Sequence, residues 1–178
     1  MTFQQKLMIV ALLAGVLAMV ALTFRTAPAG RGTHGSRGRV AAWVWVVALA
    51  LIAVGIVSGT VIRHLVQIAP FAVALSVLPR RPAWGVSAAA TLLAFWFLVM
   101  SAIWLFLLGV ARVFTGTFTT LEIALTIVIG VGSLLGLAAA RRTGASTPIG
   151  TRLGVVAAFA ALQFAAMWLS VQPYVARR

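Results

Sequence analysis

Few side chains in this sequence are of types that do chemistry, and three of them lie together near the start of one apolar run. Arg63 and Gln67 are four residues apart, which places them on one face of a helix, and His64 is adjacent. Pro70 follows and lacks a backbone donor, so the carbonyl of Val66 would need another partner. The simplest interpretation of Arg63 is that its guanidinium extends to the membrane interface.

Glu122 is the only acidic residue, so a carboxylate-based proton carrier or an acid–base enzyme would have to use it. Thr119 lies three residues before it, in the T-x-x-E pattern of a helix capping box. We expect Glu122 to cap a helix. The alternatives are an ion pair with Arg112 or Arg63, or a direct functional role.

A sharper hypothesis concerns several polar residues that the predicted topology places toward the outer side of a membrane. Together they would form a net-positive pocket for an anionic lipid headgroup, a carboxylate or a phosphate. The members of this anion or lipid pocket would be Arg63, His64, Gln67, Arg112, Glu122 and Gln163.

Other chemistries have little support in the sequence. There is no cysteine and no aspartate, and with only two histidines and one carboxylate we expect no metal site. Phosphate-loop, dinucleotide and Ser-His-Asp signatures are absent, and His64 alone is a weak haem ligand. We therefore expect no cofactor and no enzymatic activity.

The composition of the chain indicates the class of protein to which these residues belong. The chain of 178 residues is 63% hydrophobic, with a mean hydropathy of +1.13 and a formal net charge of +13. Its basic residues fall between long apolar runs, not on one basic face, which argues against a nucleic-acid partner. This pattern is typical of a polytopic integral membrane protein, an all-α helical bundle forming a single transmembrane domain.

The lengths of the apolar runs predict six transmembrane helices. The run from Val40 to Leu78 is too long for one span of about 20 residues, and Ser58-Gly59-Thr60 divides it. Thr60 and Thr147 are expected N-caps, and Pro82 and Pro148 fit first helical turns. The predicted helices are about 7–24, 40–57, 61–78, 82–110, 121–140 and 148–171, with a flexible Arg/Gly-rich loop at 25–39.

Two alternatives concern individual segments. The run 61–78 could be re-entrant, which would leave five spans. The first run could be a cleaved signal peptide ending near Ala27-Pro28-Ala29, but it is 18 residues long and only Lys6 precedes it, so we expect a retained helix.

The distribution of Lys and Arg predicts the orientation. With six spans, nine basic residues fall on one side: Arg25, Arg31, Arg37, Arg39, Arg80, Arg81, Arg141, Arg142 and Arg152. Five fall on the other: Lys6, Arg63, Arg112, Arg177 and Arg178. The positive-inside rule then places loops 25–39, 79–82 and 141–152 in the cytoplasm and both termini outside. The Arg- and Ala-rich composition is typical of bacteria, so we expect the bacterial inner membrane.

Small residues at four-residue spacing let membrane helices approach closely. Such residues are Gly55 with Gly59, Gly132 with Gly136, and Ala157, Ala161 and Ala165 on the last helix. We expect them to pack helices within the bundle. A dimer interface is the alternative.

These observations favour a non-catalytic subunit or scaffold of a membrane complex. The alternative is a small-solute transporter, or the substrate-binding membrane component of one, with a cationic outer pocket. Expected partners are membrane lipids with anionic headgroups near the Arg-rich loops, and another membrane protein or a second copy of this chain.

Overall fold

Long apolar helices make up nearly all of the described structure. The computed structural model describes residues 3–25, 34–110, 117–143 and 148–176, and side-chain surroundings for 10–24, 35–110, 117–143 and 148–175. The helices are α1 (Phe3–Arg25), α2 (His34–Val57), α3 (Val61–Arg80), α4 (Pro82–Leu107), α5 (Thr120–Arg141), α6 (Ile149–Ser170) and the short α7 (Pro173–Ala176).

Five of these helices, α2 to α6, are long and apolar enough to cross a membrane, and the described apolar stretch of α1 is Val10–Phe24. Exposed Leu, Ile and Val side chains on the outside of the bundle suit a lipid environment. The chain is therefore an all-α, multi-pass membrane protein. Helix α3 is continuous over 20 residues, about 30 Å at the usual rise per residue, which favours a span over a re-entrant segment.

Helix α4 lies at the centre of the bundle. It contacts each of the other five long helices, which surround it in the order α1, α5, α2, α3, α6 and back to α1. Every residue from 85 to 96 is buried, and the two polar ones, Ser87 and Thr91, donate to the carbonyls four residues earlier. Helix α4 can therefore be enclosed on all sides without unsatisfied hydroxyl groups.

Two glycines end helices by the same backbone mechanism. After α2, Gly59 has φ of 67°, its amide donates to Ile56, and the Thr60 amide donates to Gly55. After α4, Gly109 has φ of 72°, its amide donates to Phe106, and the Val110 amide donates to Leu105. Both are Schellman motifs, in which a left-handed residue satisfies the last helical carbonyls. Helix α4 therefore ends at Leu107, not near 110 as predicted.

Some boundaries differ from the sequence predictions. Helix α2 begins at His34, so residues 34–39 of the predicted loop are helical; Ser36 is buried, and Gly38 has open space. Pro148 precedes α6 as its N-cap, because its ψ of 140° is extended and not helical. Thr60 precedes α3, but its side chain makes no capping hydrogen bond. Residues 26–33 and Thr147 lie outside the described residues.

Candidate functional site

A buried group of polar side chains joins α3 to α6. Gln67 donates from Nε2 to Ser170 Oγ at 3.0 Å, and Ser170 Oγ donates to the Met167 carbonyl at 2.7 Å. Gln163 donates from Nε2 to the Gln67 carbonyl at 3.2 Å. Gln163 and Ser170 are fully buried and Gln67 nearly so. We call Gln67, Gln163 and Ser170 the Gln67 cluster.

The cluster forms because α3 and α6 are antiparallel neighbours. Gln67 lies six residues after the start of α3, and Gln163 lies seven residues before the end of α6, so the two reach the same depth. A polar side chain inside a membrane bundle is stabilised by partners on neighbouring helices, at about 0.6–2 kcal/mol per bond. The cluster therefore fixes the register of these two helices.

Two atoms near this part of α3 and α6 keep unused hydrogen-bonding capacity. Gln163 Oε1 and Arg63 Nε are buried and have no hydrogen-bond partner among the described residues. Leaving such an atom unpaired costs about 1–3 kcal/mol. An acceptor and a cationic donor are therefore available for a polar ligand or a water molecule.

His64 turns away from the Gln67 cluster toward the start of its own helix. Its Nδ1 lies 3.1 Å from the Thr60 carbonyl oxygen and 3.2 Å from Thr60 Oγ1, which in turn is 2.6 Å from Ser58 Oγ. The ring also lies against Gly55, where an added Cβ would be 3.0 Å from the His64 Cβ. His64 of α3 and Gly55 of α2 thus pack together beside the α2–α3 turn. The Thr60 hydroxyl contacts the histidine instead of capping the amides of α3.

Glu122 is engaged in the predicted capping box at the start of α5. The Thr119 amide and hydroxyl donate to Glu122 Oε2 at 2.7 and 2.8 Å, and the Glu122 amide donates to Thr119 Oγ1 at 3.3 Å. Within the described residues, α5 contacts neither α3 nor α6, so Glu122 does not join the Gln67 cluster or pair with Arg63. Arg112, the remaining member of the hypothetical anion pocket, lies outside the described residues.

No family model matches the chain, and no curated protein or solved structure is similar to it. Among the described residues, no three His, Cys, Asp or Glu side chains lie close enough to hold a metal ion.

The small residues singled out in the sequence divide into two groups. Gly132 faces Val47, and Gly136 faces Leu93 and Trp43, so this pair packs α5 inside the bundle. Gly59 belongs to a turn and has open space around it, so it does not pack with Gly55.

Ala157, Ala161 and Ala165 are exposed on the outside of α6, so the prediction that they pack inside the bundle is wrong. The helix buries a different face, through Val156, Ala160 and Gln163. Gly150 and Gly154 continue the exposed stripe, and an added Cβ would meet nothing within 4 Å at either. We call these five residues the α6 small-residue face.

Two grooves flank α6, and sequence reasoning missed both because they depend on which helices are neighbours. One, of about 550 Å³, lies between α1 and α6 and is apolar except for Arg152. The other, of about 250 Å³, lies between α3 and α6 beside Pro70 and is lined by Val, Leu, Ala and Pro. Both open to the outside of the bundle, where lipid or another helix can reach them.

Proposed function

We propose that this multi-pass membrane protein is a non-catalytic subunit or scaffold that binds another membrane helix through the α6 small-residue face. The observation that carries the proposal is a contrast between helices. The exposed side of α5 presents mostly large side chains, including Ile127, Val131 and Leu134. The exposed side of α6 carries a continuous row of small residues from Gly150 to Ala165, bordered by large side chains such as Leu162 and Trp168. Large apolar side chains suit acyl chains, but small residues let a second helix backbone approach closely.

The groove between α3 and α6 supports the same assignment. It runs beside the small-residue face and shares Ala165 with it, and its other walls include Val66, Val73, Leu162 and Leu169. Helices pack by inserting side chains of one into grooves of the other. A partner helix lying on Ala161 would place a row of its side chains into this groove.

The contacts of the two candidate acid–base groups support a role without catalysis. The Glu122 carboxylate is bonded to Thr119, and the His64 ring faces the Thr60 carbonyl and hydroxyl. General acid–base catalysis requires a group within hydrogen-bond reach of a substrate proton. Both groups instead complete helix ends, which supports a structural role.

The test compares two alanine-to-leucine substitutions on exposed helix faces. Ala161→Leu places a bulky group at the centre of the small-residue face, and Ala138→Leu makes the same change on the exposed side of α5. Membranes are solubilised in mild detergent and complexes are weighed by native mass spectrometry. We expect wild type and Ala138→Leu to retain a protein partner or a second copy, and Ala161→Leu to lose it. A monomeric wild type, or equal retention in both variants, would contradict the proposal.

One observation favours a second candidate, a small-solute transporter or its substrate-binding membrane component. The buried Arg63 Nε and Gln163 Oε1 provide a donor and an acceptor for a polar or anionic solute near one end of α3. If this function is correct, replacing Arg63 and Arg112 by Gln should weaken solute binding. Unchanged binding of every tested carboxylate or phosphate would contradict it.

The proposed orientation places the Arg-rich end of the bundle in the cytoplasm of a bacterium, with both termini outside the inner membrane. The described arginines at the start of α2, at the end of α3, at the end of α5 and in the first turn of α6 support it. Cytoplasmic loops of membrane proteins carry an excess of Lys and Arg.

A further inference from the structure

The groove between α1 and α6 combines an apolar wall with one cationic side chain. It occupies the last two turns of α1 and the first two turns of α6, and its volume is about 550 Å³. Helices α1 and α6 touch only slightly, which leaves the groove open to the outside of the bundle. The apolar lining includes Leu17, Val20 and Ala21 from α1 and Leu153 and Val156 from α6.

Arg152 lines this groove, and an aromatic contact holds its guanidinium in a defined position. Its Cζ lies 4.5 Å from the centroid of the Phe24 ring, and both residues line the groove. A cation–π contact fixes a guanidinium over an aromatic ring. A cation fixed in this way beside an apolar lining suits the phosphate of a lipid headgroup, which it attracts by its charge.

We infer that the α1–α6 groove is a binding site for an anionic glycerophospholipid from the surrounding membrane. Part of one acyl chain lies along Val20, Ala21 and Leu153, and the phosphate of the headgroup meets Arg152. The cationic side chain and the apolar lining are adjacent, as the charged headgroup and the acyl chain are in a phospholipid, whose charge lies toward the membrane surface. This site lies on a different side of α6 from the small-residue face and does not depend on the partner-binding role proposed for that face.

Size and location favour a lipid over a second protein helix. A volume of 550 Å³ falls in the range of about 300–1,000 Å³ for small-molecule pockets. A packed helix is about 10 Å wide and needs a contact along several turns, whereas this groove covers two. It also lies at the Arg-rich end of the bundle, which the proposed orientation places on the cytoplasmic side, and anionic lipids are concentrated in the leaflet that faces the cytoplasm.

The experiment measures lipid binding to the whole purified chain. Protein stripped of lipid by prolonged detergent washing is titrated with phosphatidylglycerol or phosphatidylcholine of identical acyl chains, and native mass spectrometry counts the bound molecules. We expect the wild type to bind phosphatidylglycerol more tightly. Arg152→Gln should weaken that binding by about fivefold or more, the effect of one arginine near a membrane surface. It should weaken phosphatidylcholine binding less, because the choline ammonium of that lipid offsets the charge of its phosphate. Arg152→Lys, which keeps the charge, should restore most of the preference.

Arg81 provides the matched control. Its guanidinium lies 4.6 Å from the Trp84 ring at the same end of the bundle, but Arg81 does not line the groove. Arg81→Gln removes the same charge from a similar aromatic contact, so it should leave phosphatidylglycerol binding unchanged. Equal losses in Arg81→Gln and Arg152→Gln would mean that net charge, not the groove, binds the lipid, and would overturn the inference.

A second substitution tests the apolar wall separately. Ala21→Trp fills the groove, so it should weaken the binding of both lipids. Circular dichroism checks that the variant keeps its helices. Glycerol 1-phosphate, which has the phosphate but no acyl chain, should not compete with phosphatidylglycerol. Full competition by glycerol 1-phosphate, or equal affinity of the wild type for the two lipids, would overturn the assignment.

Discussion

The indole nitrogen of Trp104 donates a hydrogen bond to the hydroxyl of Thr126 at 3.0 Å, which joins α4 to α5. Thr126 in turn donates to the carbonyl of Ile123 at 2.7 Å. Gly130, one turn further along α5, lies beneath the same indole ring. The pairing of these helices therefore depends on a hydrogen bond and on the lack of a side chain at the next turn.

Replacing Thr126, which accepts the hydrogen bond from Trp104, should destabilise the bundle. Thr126→Val keeps the volume of the side chain but leaves Trp104 Nε1 without its partner, so we expect a loss of about 1–3 kcal/mol in unfolding free energy. Thr126→Ser retains the hydroxyl and should lose less. Unfolding in increasing dodecyl sulfate, followed by circular dichroism, gives both values, and identical stabilities for the two variants would contradict the role of this bond.

Filling the space beneath the indole should also cost stability. Gly130→Leu would overlap the Trp104 ring, and overpacking of this kind costs roughly 1–3 kcal/mol. Gly38→Ala is the control, because an added Cβ there meets nothing within 4 Å and alanine favours a helix by about 1 kcal/mol. Thermal unfolding in detergent should show a lower Tm for Gly130→Leu than for the wild type, and no lower Tm for Gly38→Ala. A stable Gly130→Leu variant would show that α4 and α5 are not packed as described.

The capping box should control fraying of the first turn of α5. Thr119→Ala removes the acceptor of the Glu122 amide and should cost about 1 kcal/mol. Glu122→Gln retains a capping-box residue, so its loss should be smaller than that of Glu122→Ala. Hydrogen–deuterium exchange of the amides 119–123 should be faster in Thr119→Ala. If Glu122→Gln instead removes function with no change in exchange, the carboxylate has a role beyond the cap.

The Gln67 cluster should show a measurable coupling between helices. Gln67→Leu, Ser170→Ala and the double variant form a cycle, and we expect a coupling energy of about 0.6 kcal/mol, typical of hydrogen bonds between membrane helices. Ser76→Ala is the control, because Ser76 donates to the carbonyl of Val73 in its own helix and should not couple to Gln67. Equal coupling for both serines would indicate that α3 and α6 are not joined here.

The lack of cysteine permits a direct test of the orientation. Leu108 is 75% exposed just after α4, and Arg142 is exposed just after α5, at the opposite end of the bundle. A membrane-impermeant maleimide should label Leu108→Cys in intact cells, and Arg142→Cys only after the cells are permeabilised. Labelling in the reverse order would show that the Arg-rich end lies outside.

The all-α helical class and the local end signals could be predicted because they depend on short stretches of chain. Each of these signals determines the structure of only a few neighbouring residues. Examples are the apolar runs of the right length, the break before Pro82 and the T-x-x-E pattern at Glu122. The start of α2 was predicted too late, because hydropathy marks the hydrocarbon segment and the helix continues past it to His34. The end of an apolar run is therefore a less accurate guide to a helix boundary than a capping motif is.

The lateral arrangement of the helices could not be predicted, because it depends on contacts between parts of the chain that are far apart in sequence. The shared outer pocket grouped Glu122 with Gln67 by sidedness alone, but α5 and α3 do not contact each other among the described residues. The exposed position of Ala161 and the groove at Arg152 depend on the same arrangement. Spacing within one helix shows that Gln163 and Ala161 lie on different faces, but not which face is covered.

The central position of α4 has a consequence for biosynthesis. Helix α4 is synthesised before α5 and α6, yet both cover its sides in the finished protein. Until then, the flanks of α4 that these two helices later cover are in contact with acyl chains, which its Ala-rich middle tolerates. The nascent protein therefore passes through an unclosed stage that ends only with the insertion of its last span.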